Sequence, residues 1–134
     1  DGVAYPKNEK TKKGLAIVAQ TRKLIQELDP KLGFLIENPR GMLRKQNEVA
    51  GLNRVTVSYC QYGDNRMKPT DLWGEVPNWN PRPMCKRGSP CHESAARGSM
   101  GGTQGIGGGG KRGSMLRSMI APELSEELLE ALTK

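Results

Sequence analysis

Residues 34–41 read Phe-Leu-Ile-Glu-Asn-Pro-Arg-Gly, three large apolar side chains followed at once by a carboxylate and then by a break at Asn38-Pro39. A short apolar run bounded by turn residues reads as a buried strand, and its continuous rather than alternating character suggests a parallel one. Glu37 then stands at the carboxyl end of that strand, where side chains of open α/β sheets face the ligand crevice. Desolvation at such a place favours the protonated carboxyl, suited to hydrogen bonding a ring nitrogen or an exocyclic amine. A glutamate that caps a neighbouring helix or pairs with Arg40 accounts for the same residues equally well.

Before this strand, Leu15, Val18, Leu24, Ile25 and Leu28 recur at helical spacing, and Asp29-Pro30 supplies a stop. An amphipathic helix is expected from 11 to 28. After it, residues 55–60 (Val-Thr-Val-Ser-Tyr-Cys) are rich in β-branched side chains and form the clearest strand, closing at the turn signal of residues 62–65. A third, short strand is expected over 68–73. Prolines at 77, 81, 83 and 90 make the next segment a loop, ordered only where something pins it. From 98 to 113 nine of sixteen residues are glycine, which predicts a mobile linker. Pro122, Glu123, Glu126 and Glu127 suit a helix amino end, and Leu124, Leu128, Leu129 and Leu132 make one stripe, so a closing helix is expected over 122–133. The order of elements suggests an α/β chain in three parts: an α/β unit at 1–74, a basic Pro/Gly-rich region at 75–119 and a helix at 120–134.

With 134 residues, 35% hydrophobic and 4% aromatic, the chain has material for one modest core. The net charge is +7, and the segment from Arg82 to Arg117 holds seven basic residues against the single acid Glu93. Arg82, Lys86, Arg87, Arg97, Lys111 and Arg112 there are candidate contacts for a polyanionic partner, as is Arg40, although surplus charge on a solvated face gives the same total. Arg66 and Lys68 alternate in a segment read as extended, so both can face one phosphate track. Three cysteines, an odd number, with no secretory leader or long apolar run point to a reducing, cytoplasmic setting and no membrane. The chain opens at Asp1 in a basic stretch that reads like the middle of a protein, so a fragment is expected.

Cys85, Cys91 and His92 give three soft ligands within eight residues of loop, where Zn²⁺ can order a segment that has no core. A structural site needs a fourth ligand, and Cys60 is the remaining cysteine; two thiols and a surface histidine without metal are the alternative. Residues 105–111 imitate the spacing of a phosphate-binding loop, but Arg112 stands where Ser or Thr must hold Mg²⁺, which excludes that chemistry.

Taken in order, FLIENPRGMLRK, RVTVSYCQYGDNRMKPTDLW, WNPRPMCKRGSPCHESAARGSMGGTQG and IAPELSEELLEAL resemble the carboxyl-terminal half of phage and bacterial DNA cytosine-5 methyltransferase-like proteins. The resemblance implies a partial Rossmann-like sheet of the S-adenosylmethionine-methyltransferase type with flanking helices. It implies that Glu37 and Asn38 match the family's Glu-Asn pair, with Glu37 holding N3 and the exocyclic amine of a flipped cytosine, and that Arg66 contacts the cytosine carbonyl oxygen and Lys68 a phosphate. Pro39 stands where most members carry valine, and no Pro-Gln pair precedes Arg66. The family's cofactor loop and Pro-Cys nucleophile precede the Glu-Asn motif, and nothing before Glu37 resembles them; Pro90-Cys91 lies in the wrong order to serve. S-adenosylmethionine is therefore expected only in a full-length protein. This chain alone is expected to be inactive and to self-associate or to dock on a missing amino-terminal half. A non-catalytic DNA-binding remnant of a phage or mobile element, or a small zinc-stapled interaction module, are the alternatives.

Overall fold

A computed structural model describes residues 8–93, 115 and 118–133. Helix α1 (Glu9–Leu28) begins two residues ahead of its apolar pattern because the Asn8 side chain caps it, accepting the Thr11 N–H at 2.9 Å. It ends at Asp29, whose left-handed backbone (φ 45°) returns its N–H to the Ile25 carbonyl at 2.9 Å. Three strands follow, β1 (Phe34–Pro39), β2 (Arg54–Ser58) and β3 (Pro69–Glu75), in the spatial order β1-β3-β2. Helix α2 (Pro122–Leu132) closes the described chain.

Every ladder in this sheet is antiparallel, which corrects the expectation of a parallel pairing for β1 and leaves a small α/β unit instead of a Rossmann-like half. The reason lies in the connections. Parallel neighbours need a crossover of a dozen or more residues, usually helical, whereas the chain between β2 and β3, residues 59–68 with a 3₁₀ turn at Tyr59–Tyr62, is too short for one and returns alongside. The longer link from β1 to β2, carrying 3₁₀ turns at Met42–Lys45 and Asn47–Val49, crosses to the far side of β3. Strands β1 and β2 consequently run in the same direction with β3 reversed between them.

Alternation along the strands separates two faces. Val55, Val57, Leu72 and Leu35 share the face that packs with Tyr59, Tyr62, Ala121, Leu124, Trp79 and Leu128. Within α2 the stripe is narrower than its leucines suggest: Leu124 is buried but Leu129 is 64% exposed. Shortening Leu124 to alanine removes a side chain that is 1% exposed and should cost about 2–5 kcal/mol in a urea melt. An unchanged midpoint would mean that α2 does not pack as described.

The other face carries a buried charge network. Arg44 donates from Nη2 to Asp71 Oδ1 at 2.6 Å and from Nε to Oδ2 at 3.1 Å, while Thr56 Oγ1 donates to Oδ1 at 2.7 Å. Burial of Asp71 works against its charge, but the hydrogen bonds from Arg44 and Thr56 outweigh it and hold the carboxyl below the usual aspartate range. Removing one member of such a pair is costly, so Asp71→Ala should lose about 3–5 kcal/mol. Because the folded-state pKa is depressed, this stabilisation is complete above the ordinary aspartate pKa and disappears as pH falls towards the folded value. Melts from pH 7 downwards should accordingly show a steeper acid loss for the wild type than for Asp71→Asn; parallel curves would contradict the pairing.

Helix α1 has no buried residue. Its Arg22 Nη1 donates to the Glu48 and Ala50 carbonyls at 3.1 and 2.9 Å, while Ile17, Leu24 and Leu28 remain exposed. Among the described residues no helix is long and apolar enough to cross a membrane. The glycine tract expected over 98–113 lies outside the described residues, as do Arg97, Lys111 and Arg112.

Candidate metal centre and strand-end site

Because β1 and β2 run together, their carboxyl ends meet at one edge of the sheet: Pro39 faces Thr70, and Ser58 faces Pro69, at the start of β3. The residues that the sequence singles out between 37 and 40, 59 and 68, and 85 and 92 gather at or beside this edge.

Directly after β2 the chain tightens into a 3₁₀ turn, Tyr59–Tyr62. Side chains three apart eclipse in such a turn. Tyr59 and Tyr62 accordingly both point into the core, each 0% exposed, and Cys60 and Gln61 project elsewhere. Tyr59 Oη donates to Glu37 Oε1 at 2.9 Å, and among the described residues no donor is bonded to Oε2. Burial and then the neighbouring Glu37 charge push the Tyr59 hydroxyl well above its ordinary range, so it remains a donor at neutral pH. Lys68 Nζ lies over the Tyr59 ring, 4.8 Å from its centroid. Burial lowers the Lys68 pKa, against the attraction of Glu37 and Asp64.

Glu37 is thus bonded by the Tyr59 hydroxyl and feels the Lys68 charge, and among the described residues no ion pair joins it to Arg40. Asn38 turns back, donating from Nδ2 to the Pro39 carbonyl at 3.0 Å. Arg40 is exposed, its backbone N–H bonded to the Pro69 carbonyl at 2.9 Å. Arg66 and Lys68 lie in the turn before β3 rather than on an extended edge, and both are buried, at 4% and 3% exposure. Arg66 meets Asp64 through Nε to Oδ1 at 3.1 Å and Nη2 to Oδ2 at 2.9 Å. Partial burial works against the Asp64 charge, yet Arg66 keeps its carboxyl below the usual range. Asp64 was not visible as a partner in the sequence, where a carboxylate two residues before an arginine in a turn has no distinguishing pattern.

Beyond Tyr59, Cys60 completes a cluster with Cys85, Cys91 and His92 whose ligand atoms all lie within 4.8 Å of one another. Cys60 Sγ is 3.2 Å from Cys85 Sγ and 3.5 Å from Cys91 Sγ; His92 Nδ1 is 3.6 and 3.4 Å from the Cys85 and Cys91 sulfurs. Four thiolate or imidazole ligands around one tetrahedral zinc are separated by roughly 3.5–3.8 Å, so small adjustments accommodate the ion. Burial and the neighbouring thiols push Cys60 up, whereas at Cys85 hydrogen bonds from Cys60, Ser58, Cys91 and Gln61 outweigh the opposing effect of burial and hold it below its ordinary value. These four residues can hold a metal ion.

The surrounding loop is tied at several points. The Cys85 N–H donates to Ser58 Oγ at 3.3 Å, and the Glu93 N–H to the Asn65 carbonyl at 2.8 Å. Between the ligands, Ser89 turns the chain by donating from N and Oγ to the Lys86 carbonyl at 3.1 and 2.6 Å, and Lys86 and Arg87 are left exposed. Arg82 is instead engaged within the chain. It donates from Nε to Glu127 Oε2 at 2.9 Å and from Nη1 to Glu123 Oε1 at 3.0 Å, with its guanidinium over the Tyr62 ring. Trp79 Nε1 also donates to Glu127, at 2.9 Å. These bonds are what pin the proline-rich segment. Replacing Arg82 with alanine should therefore lower stability by about 1–3 kcal/mol in a thermal melt, by loosening α2 from the loop. A variant as stable as the wild type would deny it that role.

No protein-family model, curated protein or solved structure matches the chain.

Proposed function

We propose that this chain is the base-holding, DNA-facing part of a DNA cytosine-5 methyltransferase-like protein, with Zn²⁺ at Cys60, Cys85, Cys91 and His92 as a structural staple. The observation that carries the reading is the convergence, at the carboxyl ends of two strands running the same way, of Glu37, its Tyr59 support and the cysteine-histidine cluster. Ligand crevices of open α/β sheets form at such strand ends.

In this reading Glu37 offers Oε2 to an extruded cytosine while Tyr59 fixes Oε1. Asn38 borders the same strand end, Arg66 and Lys68 line its buried floor, and Arg40, Lys86 and Arg87 meet phosphates. Three thiols with one imidazole suit Zn²⁺ better than Mg²⁺ or Ca²⁺, which take oxygen ligands. A closed four-ligand site leaves no position for water, so the ion orders the loop and does not perform chemistry. S-adenosylmethionine and the nucleophile would come from the rest of a full-length protein, and the exposed Ile17, Leu24 and Leu28 of α1 provide apolar surface for that part or for a second copy.

A labelled duplex with one cytosine opposite an abasic site tests the reading, with thymine at the same place as control. The zinc-loaded protein should bind the cytosine probe about tenfold more tightly, and Glu37→Ala should erase the difference. Equal affinity for the two probes, or a preference that survives Glu37→Ala, would refute the base-holding role.

A further inference from the structure

One turn joins the cysteine-histidine cluster to the support of Glu37. The 3₁₀ turn Tyr59–Tyr62 sends each of its four residues to a different anchor: Tyr59 Oη to Glu37 at 2.9 Å, Cys60 Sγ into the metal cluster, Gln61 Nε2 to Cys91 Sγ at 3.4 Å, and Tyr62 Oη to the Arg82 N–H at 2.7 Å. Arg82 Nη1 also reaches the Gln61 carbonyl at 2.6 Å. Two of these anchors, those of Cys60 and Gln61, belong to the cluster and tighten when its sulfurs bind metal. Tyr59 is the only one that leads to Glu37.

We propose that Tyr59 is a positioning residue that makes the placement of Glu37 depend on metal occupancy. The link is mechanical. Metal bound at Cys60 fixes the rotation of a turn that has little slack, because its backbone is already held by the Tyr59 N–H to the Met67 carbonyl at 2.8 Å and the Asp64 N–H to the Tyr59 carbonyl at 3.2 Å. The tyrosine ring carries that rotation inward to the carboxylate. The Cys60 and Cys85 sulfurs lie 3.2 Å apart, closer than zinc ligands stand, so taking up the ion displaces Cys60 and, through the taut turn, the hydroxyl that holds Oε1. Linkage requires the effect to be reciprocal: a ligand that engages the ordered Glu37 must tighten metal binding by the same factor.

This inference rests on the zinc and base-holding reading above, but it has a readout that needs no DNA. In protein labelled with ¹³C at glutamate carboxyls, the Glu37 signal is assigned by its loss in Glu37→Gln. Titrating zinc into metal-free protein should move that signal in the wild type and leave it unmoved in Tyr59→Phe, which still takes up one zinc. In Cys91→Ser the shift should appear only at zinc concentrations higher by about tenfold or more, since one ligand is lost while Tyr59 is untouched. With the abasic-site probes, zinc removal and Tyr59→Phe should each lower the cytosine preference about tenfold, and together by no more than either alone. A Glu37 signal indifferent to zinc in the wild type, or one that still responds in Tyr59→Phe, would overturn the coupling even where cytosine is preferred. A zinc-dependent Glu37 signal in a protein that ignores the probes would keep the coupling and discard the base-holding role.

Discussion

Removing the metal from the purified protein is expected to lower its melting temperature by roughly 15 °C, the shift for about 4 kcal/mol in a domain of this size. That energy corresponds to a ligand held at about a thousand times its Kd that binds only the folded state. The loop around Cys85 and Cys91 has little else to order it, because its prolines exclude both helix and central strand. Its remaining ties among the described residues are one hydrogen bond each at Ser58 and Gln61 and two between Asn65 and Glu93. Such bonds contribute about 1 kcal/mol each. Metal analysis should return one zinc per chain, and Cys60→Ser or Cys85→Ser should reproduce the instability of the metal-free protein. A content under about 0.2 zinc per chain after refolding with the metal would remove the staple from the account.

The second large effect concerns DNA. Affinity for duplex should fall by about 10³-fold between 50 and 200 mM salt if six or so phosphates are neutralised. Changing Lys86 and Arg87 together to alanine should weaken all sequences alike and reduce the log–log salt slope by about 2. Both side chains are exposed on the turn between Cys85 and Cys91. Chelation should therefore mimic the double substitution, whereas Arg82→Ala should act mainly on stability because its guanidinium already meets Glu123 and Glu127. Binding insensitive to salt would exclude a backbone-tracking mode.

Much of the secondary structure could be read directly from residue patterns. The run read as a strand at 55–60 became β2 only as far as Ser58, with Tyr59 and Cys60 entering the 3₁₀ turn; the apolar triplet at 34–36 opened β1, and Pro122 with its following glutamates began α2. Strand direction could not be read that way. A continuous apolar run reports cover on both faces, and the reversal of β3 follows from the short turn after β2, where the sequence pattern says nothing about which neighbour a strand finds. Three of the four cluster ligands were legible from their spacing. Cys60 was legible only as the remaining cysteine, since a ligand brought in from 25 residues away leaves no local signature. The two partners that define the strand-end site, Tyr59 for Glu37 and Asp64 for Arg66, were hidden for a related reason: an aromatic after a strand and an acid in a turn are ordinary features whose role is created by folding.

The most direct test of the strand-end account is an amide NMR titration of the zinc-loaded protein with a short duplex carrying an unpaired cytosine. Resonances at 37–40, 59–62 and 85–92 should move together at one dissociation constant, while those along the exposed face of α1 around Ile17 and Leu24 stay in place. Shifts confined to α1, or a strand end that remains silent while DNA binds, would contradict it.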